Sequence, residues 1–184
     1  MPSPQESASQ EDPENVTDAE ADECLRRFRS QLRCFPFVYL PEAITPAELR
    51  QSRPYLWMAI LSVSTRSSSR QAALCRKIQR IIADKLVVQH ERSIDLLLAM
   101  LAYLGWANYQ MGPGQPFLGV QCHLLISLIQ DLGIEKTGSK RFDEPNHPMA
   151  CLKNHLPIHR LASSSTRTME ERRALLAGYL ITSE

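Results

Sequence analysis

LLLAMLAYLGWANYQMGPGQPFLGVQCHLLISLIQ, residues Leu96 to Gln130, contains no Asp, Glu, Lys or Arg, although charged residues make up 22% of the chain. Two apolar stretches of helical length are folded back on each other by Gly112-Pro113-Gly114. Such a pair is either a membrane hairpin or the buried centre of an all-helical domain. Length separates the two, because a spanning helix needs about 20 predominantly apolar residues. The first stretch is apolar from Leu96 to Ala107, before Asn108 and Gln110 intervene. The second runs from Phe117 to Ile129 and is interrupted by Gln121, His123 and Ser127. Both are short for a span, and neither carries the flanking Lys/Arg cluster that orients one. The pair is expected to be the two central buried helices of an all-α, multi-helix bundle with no membrane contact.

The surrounding composition agrees with that expectation. A chain of 184 residues, 43% hydrophobic, is long enough for one domain with a sizeable core. Its opening, MPSPQESASQEDPE, has neither a basic n-region nor an apolar h-region, so no secretory signal is read there. Cys24, Cys34, Cys75, Cys122 and Cys151 are an odd set without CxxC spacing, which fits a reducing compartment better than a disulfide framework or zinc cluster. The sequon Asn15-Val16-Thr17 then carries no meaning. Charge is divided unevenly. Glu6, Glu11, Asp12, Glu14, Asp18, Glu20, Asp22 and Glu23 precede the first basic residue, leaving 12 of the 20 acidic residues to face all 21 Lys and Arg. Residues 1–17 are expected to be a disordered, solvating acidic tail, and residues 18–184 the helical domain.

Helix-start chemistry recurs along the chain. Thr17 and Glu20, Thr45 and Glu48, and Thr168 and Glu171 each have capping-box spacing, and Pro46 suits a first helical position. Helices are predicted near 18–33, 46–52, 54–64, 68–89, 92–110, 116–132 and 169–183. Pro54 separates the second from the third by restricting Arg53. Cys34-Phe-Pro-Phe-Val-Tyr-Leu40 is interrupted by proline and reads as an extended strap laying Phe35, Phe37 and Tyr39 across helix surfaces. In 68–89, Leu74, Ile78, Ile81, Ile82 and Leu86 form one apolar stripe. Arg66, Arg70, Arg76, Lys77 and Arg80 gather on the other side. That basic face could track phosphates, but without interleaved aromatics or a base-reading module it is expected to be merely solvated.

Motifs of chemistry are sparse. Residues 135–167 are expected to be a flexible loop. They contain His147, Cys151, His155 and His159, spaced by four, the one set that resembles zinc ligands. Pro157 would break a helix between the last two, and the spacing matches no zinc-finger pattern, so no metal site is assigned. Gly112-Pro113-Gly114 lacks the Lys and Ser/Thr of a phosphate loop. No GxSxG, HExxH or paired-carboxylate motif occurs. His123 is read as a hydrogen-bonded core histidine rather than a base, and Cys122 as a small hydrophobe. Trp57, Tyr103, Trp106 and Tyr109 fall at packing intervals. No catalytic residue is assigned.

The order of segments carries more than any single motif. Leu86-Val87-Val88-Gln89 precedes Glu91-Arg92-Ser93-Ile94-Asp95-Leu96-Leu97. An apolar helix then ends in Trp106-Ala107-Asn108-Tyr109, and a second closes on Leu128-Ile129-Gln130-Asp131-Leu132-Gly133-Ile134. After a loop comes Arg167-Thr-Met-Glu-Glu-Arg-Arg-Ala-Leu-Leu-Ala-Gly-Tyr179. Over about residues 35–183 this order resembles the middle homology, or regulatory, region of fungal zinc binuclear-cluster transcription factors. It is most similar to the branch with an FPF strap before the first core helix. The resemblance implies transcriptional regulation in the nucleus, protein partners such as the transcription machinery or a related transcription factor, and a metabolite as effector. It also implies a zinc cluster that reads DNA, but the six cysteines of that cluster are not in this sequence. No cofactor is therefore expected here, and DNA contact is indirect or through such a cluster elsewhere. The family's regions continue past the Glu-Arg-Arg helix, so the chain is read as cut short, with apolar helix faces left uncovered. The alternative is a helical small-ligand-binding module or enzyme, with a cavity around Trp106, Tyr109 and His123.

Overall fold

The computed structural model describes residues 13–106, 117–134 and 168–183. Among them the regular structure is entirely helical: α1 (Asp18–Gln31), α2 (Pro46–Ser52), α3 (Pro54–Ser64), α4 (Ser68–Ile82), α5 (Ile94–Gly105), α6 (Phe117–Asp131) and α7 (Met169–Thr182). The all-α class is as expected. No helix among the described residues is long and apolar enough to cross a membrane. The three capping boxes form in full at the starts of α1, α2 and α7. They were legible because each is closed by atoms three residues apart.

The centre differs from expectation in one respect. α5 does lie at the middle, with every residue from Asp95 to Leu104 buried, but its principal companion is α3, where Leu56 to Ser64 are all buried. α3 also packs against α1, α2 and α4, while α6 and α7 pack on the far side of α5 and on each other. α6 is thus an outer helix. Gln121, Leu125, Leu128 and Ile129 turn inward, whereas Val120, Ile126 and Ser127 are exposed. The polar residues that interrupt its apolar run leave one stripe, enough to cover a neighbour but not to be surrounded.

α3 is capped at both ends by charges from other helices. At its start, Asp95 of α5 accepts from the amides of Tyr55 (3.0 Å) and Leu56 (3.1 Å), donors that no residue of α3 itself caps. At its end, Arg27 of α1 donates to the Ser64 carbonyl (2.9 Å), held in place by both Nε and Nη2 on Glu23. A negative group at the start and a positive one at the finish both match the helix dipole.

Two further departures have local causes. The helix predicted over 68–89 becomes π-helical over Ala83–Val88. Its wider turn is closed by the Gln89 amide donating to Asp84 O (2.8 Å) and the Glu91 amide to Lys85 O (2.8 Å). His90 then takes a left-handed φ of 53°, ending the helix before Ser93 caps α5. The strap also faces differently from expectation: Phe35, Val38 and Leu40 are buried, and Tyr39 points outward. Phe35 stands edge-on to both Phe37 (4.9 Å) and Trp106 (5.4 Å), and Phe28 of α1 completes the aromatic cluster on Trp106. Gly105 permits this approach, since a Cβ there would press on the Phe35 ring.

Candidate functional site

The segments that carry the family resemblance meet as joints between helices. In Glu91-Arg-Ser-Ile-Asp95, Glu91 accepts from the Tyr55 hydroxyl (3.2 Å), Arg92 pairs with Asp131 at the end of α6 (3.3 Å), Ser93 caps α5, and Asp95 caps α3. Burial pushes the Asp95 carboxyl above its usual range, and the Tyr55 and Leu56 amides pull it back in part. The Asp131-Leu132-Gly133-Ile134 ending is a Schellman stop. The Ile134 amide returns to Ile129 O (3.3 Å), the Gly133 amide to Gln130 O (2.9 Å), and Gly133 adopts φ 69°, which a side chain would oppose. In the Glu-Arg-Arg helix, Glu170 pairs with Arg53 at the start of α3 (3.0 Å), Glu171 closes the capping box, and Arg173 lies over the Tyr39 ring (5.2 Å). These contacts tie α2, α3, α5, α6 and α7 together.

α7 differs from an ordinary surface helix in carrying several large apolar side chains on its outer side. Its fully buried positions are Ala174, Ala177 and Gly178, and Leu175 and Ile181 are half-buried against the core. Four of its large apolar side chains point away from the bundle, with Met169 62%, Leu176 61%, Tyr179 74% and Leu180 51% exposed. At 100° per residue, these four and Arg172 share the side opposite the buried one. Gly178 allows α7 to approach α6 closely: a Cβ there would collide with Ile129 Cδ1. An apolar strip of this kind marks an interaction surface, and it is the candidate functional site.

The other candidate residues fall elsewhere. His147, Cys151, His155 and His159 lie outside the described residues, as does Tyr109. Among the described residues no group of His, Cys, Asp and Glu is assembled that could hold a metal. His123 is exposed rather than in the core, its Nδ1 within 2.8 Å of Gly119 O one turn back, because α6 turns this side to solvent. Cys122 is half-buried and its thiol pKa is raised by that burial. Trp106 is packed by Phe28 and Phe35. Tyr103 is fully buried, its hydroxyl accepting from Gln79 (2.9 Å), and burial pushes its pKa up to about 12. Gln121 is buried on α6 with neither amide atom hydrogen-bonded, an arrangement that costs stability.

The basic face of α4 is not simply solvated. Arg66 pairs with Glu23 (3.5 Å), Arg70 with Glu20 (3.4 Å) and Lys77 with Glu14 (2.8 Å), so the acidic residues before and within α1 lie along it. Val16 is buried beside them. Between α1, α3 and α4 is an open cleft of about 100 Å³ lined by Glu20, Glu23, Cys24, Arg27, Arg66 and Arg70 among others. It is well below the several hundred Å³ typical of small-ligand sites, and its charges are already paired with one another.

Comparison with known proteins gives these observations a context. No protein-family model matches the chain, and no solved structure matches it significantly. Three curated proteins do. Transcription factor opdL of Penicillium oxalicum is 34% identical over 172 residues, 91% of this chain and 30% of that protein. A transcription factor of Aspergillus terreus is 38% identical over 100 residues, 54% of this chain and 16% of the relative. Transcription factor himD of Aspergillus japonicus is 32% identical over 108 residues, 58% of this chain and 18% of the relative. The chain spans less than a third of the length of each of these relatives. Along nearly all of its own length, it is similar to part of a fungal transcription factor.

Proposed function

We propose that this chain is a regulatory and interaction domain of a fungal transcription regulator, equivalent to the middle homology region of zinc binuclear-cluster factors and resident in the nucleus. The observation that carries this reading is the 172-residue match to a transcription factor, which runs through 91% of the chain. The use of the motif residues supports it, since Glu91, Asp95, Asp131 and Glu170 all serve to hold helices together. Such a domain acts by packing. It presents a rigid helical body whose surfaces restrain or position segments that read DNA or recruit the transcription machinery.

The test is a tethered reporter. The full chain, fused to a heterologous DNA-binding domain and to a fluorescent protein, is expressed in a filamentous fungus with the matching operator upstream of the reporter. The expected result is nuclear fluorescence and a several-fold change in reporter output, up or down, that requires the operator. Cytoplasmic protein that leaves the reporter unchanged even when a nuclear import signal is added would overturn the proposal. Purified chain is further expected to show no sequence-specific retention of DNA.

A further inference from the structure

The acidic residues that lie along α4 follow it in order. Glu23 pairs with Arg66, Glu20 with Arg70 and Glu14 with Lys77, so the chain leading into and along α1 runs antiparallel to α4. Glu20 and Glu23 are fixed in α1. Glu14 and Val16 belong to the stretch before it, which leaves the helix in an extended direction at the cap, Thr17 (φ −65°, ψ 158°). Val16 is buried and lines the cleft together with Leu61 and Leu74. Residues 13–17 thus sit on the bundle as a short acidic peptide would, with one aliphatic anchor on an apolar floor and one carboxylate on a cation at its edge. Their hold is light. The Lys77 and Glu14 side chains are 37% and 34% exposed, and a pair so open is weak and screened by salt. The basic face also extends past them: Arg76 and Arg80 are exposed and pair with no carboxylate among the described residues.

We propose that the groove between α1 and α4 binds an acidic peptide segment of a protein partner, and that residues 13–17 occupy it as an internal ligand which such a segment must displace. The partner segment needs an aliphatic side chain for the floor of Leu61 and Leu74. It also needs carboxylates spaced to reach Lys77 and, about one turn further along α4, Arg80. The internal ligand is tethered, and a short tether gives it an effective concentration on the order of millimolar. A dilute acidic peptide therefore stays out, whereas one of higher affinity, or one held close by another contact, takes its place. Nucleic acid suits this face poorly. Glu20 and Glu23 remain in α1 beside Arg70 and Arg66 whatever becomes of residues 13–17. A duplex, charged about every 1.7 Å along its axis, would set phosphates against both of them. A peptide places its carboxylates only where the cations are. Nor does α4 carry an aromatic side chain on which a base would stack.

The test is fluorescence anisotropy of the purified full chain with a labelled synthetic peptide of residues 10–17. Wild type is expected to bind the peptide weakly. Glu14→Lys together with Val16→Ser in the chain should unseat the internal ligand and tighten peptide binding by at least about tenfold, and that binding should weaken as sodium chloride is raised. Lys77→Glu added to the opened variant should remove the gain. Arg33→Glu, the same change of charge just past the far end of α1, should leave it in place. Wild type offers a second measurement that needs no substitution: a large excess of peptide should speed exchange of the Val16 amide. With no reporter involved, this result and that of the tethered reporter can fail separately. An opened variant that does not bind the peptide, or binds it no better than wild type, would overturn the proposal. So would binding that survives Lys77→Glu, a Val16 amide indifferent to excess peptide, or a DNA duplex bound more tightly than the peptide.

Discussion

Along α5 every side chain from Asp95 to Leu104 is buried, and α3 meets it with nine consecutive buried residues. Along α7 the fully buried positions hold alanine and glycine, Leu175 and Ile181 are half-buried, and Leu176, Tyr179 and Leu180 face away. Both kinds of helix are rich in apolar residues, yet one makes a core and the other a surface. They differ in amount, since α5 carries one charged residue and α7 carries Glu170, Glu171, Arg172 and Arg173, and also in where the large side chains point. When a helix is apolar all round, neighbours can enclose it, as α3 and α5 enclose one another. When the small residues gather on one side, the helix sits close there and offers its bulk to something else.

Substitutions can break or sharpen this contrast. The largest effect is expected at the core pair: Leu101→Ala should destabilise by about 2–5 kcal/mol, read as a lowered urea midpoint with unchanged slope. Next comes the inward side of α7, where Gly178→Val must displace Ile129 and should cost roughly 1–3 kcal/mol, with the loss of α7–α6 packing visible as faster amide exchange in α7. A smaller and pH-dependent change is expected at Asp95. Its folded pKa is raised above the unfolded value by burial, so its protonated form favours the fold. That contribution is fully present below the unfolded pKa and is lost as pH rises through the folded one. Wild type should therefore gain on Asp95→Asn as pH is lowered from 6 toward about 4, with paired urea titrations as the measure. The carboxylates Glu20, Glu23 and Glu48, whose pKa values are lowered, work in the opposite sense but equally in both proteins. The smallest effect is expected on the outer side of α7. Leu176→Ser should change the stability of dilute protein by no more than about 0.5 kcal/mol, and a loss as large as that of Leu101→Ala would erase the distinction between the two regions.

How much of this was legible in the sequence follows from the range of the contacts involved. The capping boxes at Thr17, Thr45 and Thr168 were readable because each is settled within four residues. The start of α3 at Pro54 was readable for the same reason. Which apolar helix would partner α5 was not, since α3 and α6 both present leucine and isoleucine, and the outcome depends on which of them the rest of the bundle surrounds. The π-helical end of α4 escaped the pattern because side chains help to fix it, with Gln89 bonded to both Asp84 and Lys85. His123 was misplaced because its neighbours in sequence are apolar while its side of α6 is not. The joints at Asp95, Arg92 and Glu170 join residues far apart in the chain, so their motifs could be noticed but their use could not. The apolar strip of α7 was half visible: the Glu-Arg-Arg helix stood out, but the bundle was needed to define which of its faces was inward.

The two charges that close the ends of α3 have a consequence for how the molecule comes apart. Neither Asp95 nor Arg27 belongs to α3, so the helix cannot fray without releasing α5 or α1. Amides at both ends of α3, ordinarily the first to exchange with solvent in any helix, should be protected nearly as well as those at its middle. Their exchange should report opening of the whole bundle rather than of one turn. The domain is then expected to behave as a single cooperative unit about α3, firm enough to transmit a push applied at one face to another.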